Sequence, residues 1–488
     1  MPDSCPVDVR AADPVAEAAA RRPDGLALIA ADASLTWAAV DERVTAAAHR
    51  VAELAGPGER VAIMLPNSVD FVVTYFGVLR AGRVAVPLNP GYTDDELEYA
   101  VRDSGAVLIV REALGPSAHA AELPSVAPGD LAVLLYTSGT SGRPKGAMLT
   151  HAALAANHEQ LDAVDPPPAG PDDVVLLAVP MFHAYGLNTG LGMVAHHAAT
   201  GVLVDRFDAA ASLSVIAERA VTVTIGVPSM YAAWARQPAA ATAMSSVRTP
   251  VCGAAPLAPE DSARFTAATG KSILVGYGLT ETAPVLTIGA REKPGSIGRP
   301  LPGVSLLLRS ADGAVLWTDG IASPDDDEAE LDLSVADVDG TDPGEIVVRG
   351  ANLFAGYWPD GRDGPDADGW WATGDVAYAD ADGDLHLVDR IGELILVNGF
   401  NVYPAEIERV LDGHPAVAEA AVIGVSDPAT GQRPHAFVVA ALDPPPTPAE
   451  LQVYCSGQLA RFKMPSIELV SELPHSATGK VRKRELPS

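Results

Sequence analysis

Cysteine is scarce, with three in 488 residues (Cys5, Cys252 and Cys455) spaced hundreds of positions apart. The close-set pairs of a zinc knuckle or a disulfide framework are missing, a usage that fits a reducing compartment. Basic residues are scarce too: 33 Lys and Arg face 63 Asp and Glu, a net charge of −30. A chain this acidic repels a phosphate backbone, which argues against bulk nucleic-acid binding. No uncharged apolar run reaches the roughly 18 residues that a membrane span needs. No basic amphipathic helix suggests a surface anchor, and the opening MPDSCPVDVRAADP lacks the basic head and apolar core of a secretory leader. The expectation is a cytoplasmic protein without stable membrane insertion.

What is present is the mixture of an ordinary enzyme, 48% hydrophobic and 20% charged, in a chain long enough for several cores. Val61 to Leu65 reads as a buried strand, Ser68 to Arg80 as a helix and Val84 to Val86 as a strand. Thr93 and Glu96 form a capping-box pattern at the start of the next helix. Apolar runs recur at Leu131–Tyr136, Val174–Val179, Val221–Val227 and Ser272–Val275, mostly separated by Ala-rich segments of helix length. Such alternation predicts α/β architecture with largely parallel sheets, whose ligands bind beyond the carboxyl ends of the strands. Asp319 to Asp342 holds ten acidic residues and no basic one, and reads as a solvated surface insertion. Pro359 to Gly369 reads as a turn-rich loop. After Asp389 and Arg390 the texture becomes that of a compact unit of about a hundred residues. Its strands are expected at Glu419–Val425 and Ala436–Leu442, with helices opening at Pro404 and at the Thr447–Glu450 cap. No internal repeat is evident.

The stretch Leu134 to His151, LLYTSGTSGRPKGAMLTH, is the first with chemistry in it. A buried strand runs into small hydroxyl and glycine residues, then Lys145, then a predicted helix. Such a loop can curl so that N–H groups and hydroxyls converge on an anion, with the lysine offsetting phosphate charge. It is not a Walker A loop, because Lys145 is followed by Gly146 rather than by Ser or Thr.

The ordered string at 136–146 resembles the phosphate-binding loop of the adenylate-forming enzymes, the superfamily of acyl-CoA synthetases, adenylation domains and luciferases. Further motifs follow in that family's order: PMFHAYG at 180–186, GYGLTE at 276–281, TGD at 373–375, DRIGELILVNGFNVYPAEIE at 389–408 and PHSATGKVRKREL at 474–486. The resemblance implies a large N-terminal multi-sheet α/β domain over residues 1–388 and a small, mobile α+β C-terminal domain over 391–488, joined by a hinge at 389–390 with Asp389 at its centre.

It also implies an AMP-forming acid–CoA ligase, with ATP and coenzyme A as co-substrates and Mg²⁺ as cofactor. A carrier-protein thiol, or another nucleophile, is the alternative acceptor. Thr137, Ser138, Gly139, Thr140, Ser141 and Lys145 would cradle the phosphates, and Ala254, Ala255, Gly276, Tyr277 and Gly278 would receive the adenine. Thr280 would bond a phosphate, Glu281 would give Mg²⁺ a hard oxygen ligand, and Asp375, Arg390 and Asn401 would complete the nucleotide contacts. His183 is implied as a gate over the substrate carboxylate, beside an acyl pocket containing Gly226, Val227 and Ala283. Asn398, Gly399 and Lys463 fall at coenzyme A positions, although Gly392, Leu396 and Asn398 stand where plant-type relatives carry lysines. Lys480 is the expected catalytic cation, since a charge that meets the phosphoryl transition state stabilises it more than the ground state. Six Lys and Arg against three Glu from Arg461 to Ser488 suit polyphosphate ligands. PMFHAYG contains no Asp to hold a substrate ammonium, which speaks against an amino acid. An apolar acyl or aryl acid is the expected substrate.

Overall fold

The computed structural model describes residues 11–117, 122–137, 144–289, 293, 295–318, 321–322, 340–390, 393–397, 400–427, 430–476 and 479–487. They form two compact units, residues 1–305 with 349–371 and residues 306–348 with 372–488.

In the first unit, helices start where their caps dictate. The Ser68 side chain accepts from Phe71 N at 3.2 Å and opens the helix Val69–Arg80. Thr93 and Glu96 close the expected reciprocal box at the head of Asp94–Ser104. That helix lays Leu97 and Ala100 on a core with Ala62, Val84, Val86, Leu88 and Leu134, where each large aliphatic side chain contributes about 1.5–3 kcal/mol on burial. The sheet beneath has five strands, in the order Leu108–Val110, Arg60–Ile63, Val84–Pro87, Leu131–Thr137 and Lys145–Thr150. Its strands run parallel until the last pair, which is antiparallel. Lys145 therefore begins a strand rather than a helix, correcting the expectation. The helix waits until His151, behind the Thr150 cap, because Ala147 and Leu149 alternate inward at strand period.

The second sheet of this unit has nine strands. From Leu26–Ile29 through Thr200–Leu203, Val174–Leu177, Val223–Gly226 and Thr249–Cys252 to Leu274–Gly278, every neighbouring pair is parallel. Antiparallel strands Ser34–Thr36 at one side and Val285–Ile288 with Arg299–Pro300 at the other complete it.

The second unit contains a six-stranded sheet that includes Ser305–Arg309, Gly344–Arg349, Trp371–Ala379 and Leu385–Arg390. The ends of the acidic segment join this sheet: Ile321–Ala322 pairs with Val315–Thr318, and the Thr341 hydroxyl accepts from Ala379 N at 3.1 Å. Residues 323–339 lie outside the described part. A second sheet, Phe400–Val402, Ile395–Val397, Gly431–Ala440 and Val417–Asp427 with Ser466–Val470 added in parallel, carries helix Pro404–Asp412. Ile407 and Leu411, one turn apart, enter a core with Val402, Val422, Val438 and Cys455. The Thr447–Glu450 box opens the helix Pro448–Ser456 as expected. This grouping by compactness differs from a boundary at 389–390, because strand Leu385–Arg390 packs with helix Pro404–Asp412.

Candidate active site

In the nine-stranded sheet, Val223–Gly226, Thr249–Cys252 and Leu274–Gly278 end side by side, with Gly226 opposite Cys252 and Cys252 opposite Val275. Three groups of expected site residues leave the sheet at this edge: Gly226 with Val227, Ala254 with Ala255, and GYGLTE. Gly226 and Val227 are buried there, Ala255 is half-buried and Ala254 is exposed in a left-handed turn (φ 68°). Tyr185 holds the edge from below, its hydroxyl donating to Val251 O at 3.1 Å and Gly226 O at 3.3 Å. Burial raises the Tyr185 pKa, so the ring stays neutral. A Cβ on Gly278 would lie 1.7 Å from Pro284 O, so the GYG backbone has to be bare where the chain doubles back. Tyr277 is buried and Gly276 half-buried.

A short 3₁₀ turn, Thr280–Thr282, follows. Thr280 is half-buried, Glu281 is buried, and the fully buried Ala283 takes the left-handed conformation (φ 61°). Glu281 Oε1 accepts a 2.6 Å hydrogen bond from the Tyr357 hydroxyl, and its backbone carbonyl accepts from Phe354 N at 2.8 Å. No Lys, Arg or His among the described residues pairs with this carboxylate.

The Tyr357 ring lies 4.8 Å beneath Lys145 Nζ, which pairs with Asp363 Oδ2 at 2.9 Å. Segment 354–358 is stitched along the lysine strand by Ala355 N to Met148 O (2.8 Å) and Trp358 N to Gly146 O (2.8 Å). The lysine that closes the phosphate-binding string and the acid of GYGLTE are thereby joined through one tyrosine. Thr137 sits opposite Lys145 in the antiparallel register; Ser138, Gly139, Thr140 and Ser141 lie outside the described residues. Tyr357 and Asp363 escaped the sequence reading. The signal available was aromatic: ANLFAGYW at 351–358 sets Phe354, Tyr357 and Trp358 close together.

His183 precedes a π-helix, Tyr185–Gly192. Its Nε2 is shut off from solvent without a hydrogen-bond partner among the described residues, and burial pushes its pKa down to about 4. The imidazole is therefore neutral at physiological pH and has one polar atom unsatisfied, as has the Thr189 hydroxyl on the same π-helix.

In the second unit, Asp375 is buried on strand Trp371–Ala379, not in a loop, with its N–H donating to the Thr373 hydroxyl at 3.1 Å. Asp375 stands opposite Arg390 and Val376 opposite Asp389, so both residues of the expected hinge lie on a strand. The side chains of Asp389, Arg390 and Asn401, and residues Gly392, Asn398 and Gly399, fall outside the description. Lys463 is buried with Nζ 2.8 Å from Glu406, so its charge is already matched. Lys480 is exposed, in a turn closed by Ser476 N to Lys480 O (2.8 Å) and Lys480 N to Ser476 Oγ (3.1 Å).

A strand-end floor with bare backbone, Lys145 at the close of the 136–146 string and the buried Glu281 are arranged as a nucleotide-activating ligase would need them. Residues 15–358 match the AMP-binding enzyme family and residues 406–480 the AMP-binding enzyme C-terminal domain, so the chain belongs to that family. The long-chain-fatty-acid–CoA ligase of Yersinia pestis is 33% identical, over 96% of this chain and 92% of that protein. The feruloyl-CoA synthase of an Amycolatopsis species is 36% identical, over 93% of each. Among solved structures, ATP-bound MatB from Rhodopseudomonas palustris superposes with a TM-score of 0.85 at 30% identity, covering 98% of both chains. The o-succinylbenzoate–CoA synthetase MenE from Bacillus subtilis, in complex with ATP and magnesium ion, gives 0.83 at 28% identity, over 97% of this chain and 99% of that one. The chain is an AMP-forming acid–CoA ligase, which activates a carboxylic acid with ATP and transfers the acyl group to coenzyme A. No helix among the described residues is long and apolar enough to cross a membrane.

Proposed function

We propose that the acid is an apolar acyl or aryl carboxylate, activated on the strand-end floor by the residues named above. Activation there is supported by the run of partners from Lys145 through Tyr357 to Glu281, which joins a residue expected at the phosphates to one expected at the cation. In this reading the substrate carboxylate attacks the α-phosphorus of ATP and the bond to the β-phosphate breaks. Pyrophosphate leaves, and the acyl-adenylate remains. The coenzyme A sulfur then attacks the acyl carbon, and AMP departs with the anhydride oxygen.

Glu281 suits Mg²⁺, being a buried hard-oxygen donor whose one side-chain partner among the described residues is a neutral hydroxyl. When bound there, the ion would offset polyphosphate charge. Thr280 supplies a hydroxyl to the phosphates, and Tyr277 packs against the base. Neutral His183 orients the carboxylate through its unsatisfied Nε2 rather than acting as a strong base. Lys480 provides the charge that grows in value as the phosphoryl transition state forms. Asp375 holds the ribose hydroxyls, with Arg390 as its companion. Turning of residues 391–488 about Asp389 between the two half-reactions belongs to the same reading, as does a cytoplasmic location.

The acid class rests on small apolar groups at Gly226, Val227 and Ala283, and on relatives named for fatty and ferulic acids. ATP–pyrophosphate exchange across short, medium and long-chain acids, cinnamates, dicarboxylates and amino acids tests it. Exchange is expected with the apolar and aryl members, and thioester release only when coenzyme A is added. Exchange confined to dicarboxylates or amino acids would overturn the acid class. Exchange without any thioester would redirect the product to a carrier-protein thiol.

A further inference from the structure

Helix His151–Asp162 and the short helix Met193–His197 end at the same place in the first unit. Asp162 Oδ2 lies 2.8 Å from His196 Nε2, and Asp162 Oδ1 lies 3.0 Å from His197 Nε2. Each carboxylate oxygen thus faces one imidazole nitrogen. The two rings stand at 71° to one another with centroids 4.9 Å apart, and the three donor atoms lie within 4.8 Å of one another.

One of these contacts is incomplete. His197 Nε2 is buried and makes no hydrogen bond among the described residues, despite the nearby Oδ1. The contact has the distance of a hydrogen bond without its alignment. A buried imidazole nitrogen left in this state carries a desolvation cost with nothing to offset it.

We propose that Asp162, His196 and His197 form a binding site for a borderline-soft divalent cation of the zinc type, separate from the nucleotide floor. Two imidazoles and one carboxylate are a normal protein donor set for zinc, and the remaining position is left for water. Ligands of a tetrahedral zinc stand about 3.3 Å apart, so the two nitrogen–oxygen distances need widen only slightly. The ion would sit at the carbonyl end of a three-turn helix, where the backbone dipole favours positive charge. A neighbouring cation, Arg21, donates to the His196 carbonyl. Because Met193–His197 continues directly from the π-helix that follows His183, the ion would pin that segment to helix His151–Asp162.

The test uses the full chain, freed of metal by chelator dialysis and titrated with Zn²⁺ by calorimetry, with Co²⁺ absorption as the spectroscopic probe. One equivalent of Zn²⁺ is expected to bind with a Kd of about 10 μM or tighter. Four-coordinate Co²⁺ bands should appear, and melting temperature should rise with Zn²⁺. Asp162→Asn and His197→Ala should each weaken binding at least tenfold and abolish the bands, and melting in chelator shows that each variant is folded. Failure of the wild type to bind, or binding that either folded variant retains at wild-type strength, overturns the proposal. Pyrophosphate exchange in excess Mg²⁺, with Zn²⁺ withheld by a zinc-selective chelator, should be the same for wild type and Asp162→Asn, which keeps this result independent of the ligase reading.

Discussion

The strand-end floor of the first unit and the C-terminal tail of the second use charged residues in opposite ways. On the floor, Glu281 is buried with one hydroxyl partner, and Lys145 is bracketed by Asp363 and the Tyr357 ring before any ligand arrives. In the tail, two lysines three positions apart diverge. Lys480 is exposed on its turn, whereas Lys483 is clamped 2.9 Å from Glu393 and 2.8 Å from Glu408. Fixed groups need no reorganisation when charge develops, but they cannot change partners. On the floor both charges are held in place, whereas in the tail one lysine is fixed between two acids and the other stays exposed.

The sharpest way to break this contrast is Lys480→Ala. Loss of a transition-state contact should cost about 3–4 kcal/mol, several hundred-fold or more in acyl-adenylate formation. Melting should be unchanged, and thioester formation from supplied acyl-adenylate should stay within a few-fold. Equal loss of both half-reactions would show that Lys480 is not specific to the first. Next in size is Glu281→Gln, which keeps the acceptor for Tyr357 but removes the charge. Pyrophosphate exchange should fall roughly 10–100-fold, with a higher Mg²⁺ concentration at half-saturation. An unchanged Mg²⁺ requirement would take Glu281 out of the cation site.

Lys483→Met should give the smallest kinetic change. Its ion pairs are partly solvent-screened, so the cost to stability is about 2 kcal/mol, below that of a fully buried pair. Burial acts to lower the Lys483 pKa, but Glu408 and Glu393 outweigh it and the value is raised. The stabilisation is therefore complete below the unfolded lysine value of about 10.4 and fades as pH climbs beyond it. Melting curves of wild type and variant should run parallel from pH 7 to about 10 and converge above. Convergence already at pH 8 would mean that the clamp owes little to the lysine charge.

The elements most legible in the sequence were those governed by local chemistry. Ser68, Thr93 and Thr447 announced their helices because a cap is decided within four residues. Strand runs such as Val174–Val179 and Val221–Val227 were placed correctly and end sooner than read, at Leu177 and Gly226. Val179 and Val227 are buried beyond the ladder, and apolar content alone cannot separate the two conditions. Lys145 was read as leading into a helix and begins a strand instead, because hairpin pairing with Leu131–Thr137 is a tertiary event. Tyr357 and Asp363 were invisible for a related reason. Their partners Glu281 and Lys145 lie 76 and 218 positions away. The π-helix had no signature at all, since its eight residues carry no periodicity that distinguishes it from an ordinary turn of helix.

The bare backbone of GYG also sets out where this enzyme can be altered. Gly278 is closed to any side chain by the Pro284 carbonyl. Two residues earlier on the same strand, a Cβ on Gly276 would meet nothing nearer than Thr287 O at 3.9 Å. Drift or engineering along this motif is thus channelled through one position, with the fold enforcing its neighbour. A lineage seeking a narrower or more greasy floor has a single door open here, and it leads in by one methyl group at a time.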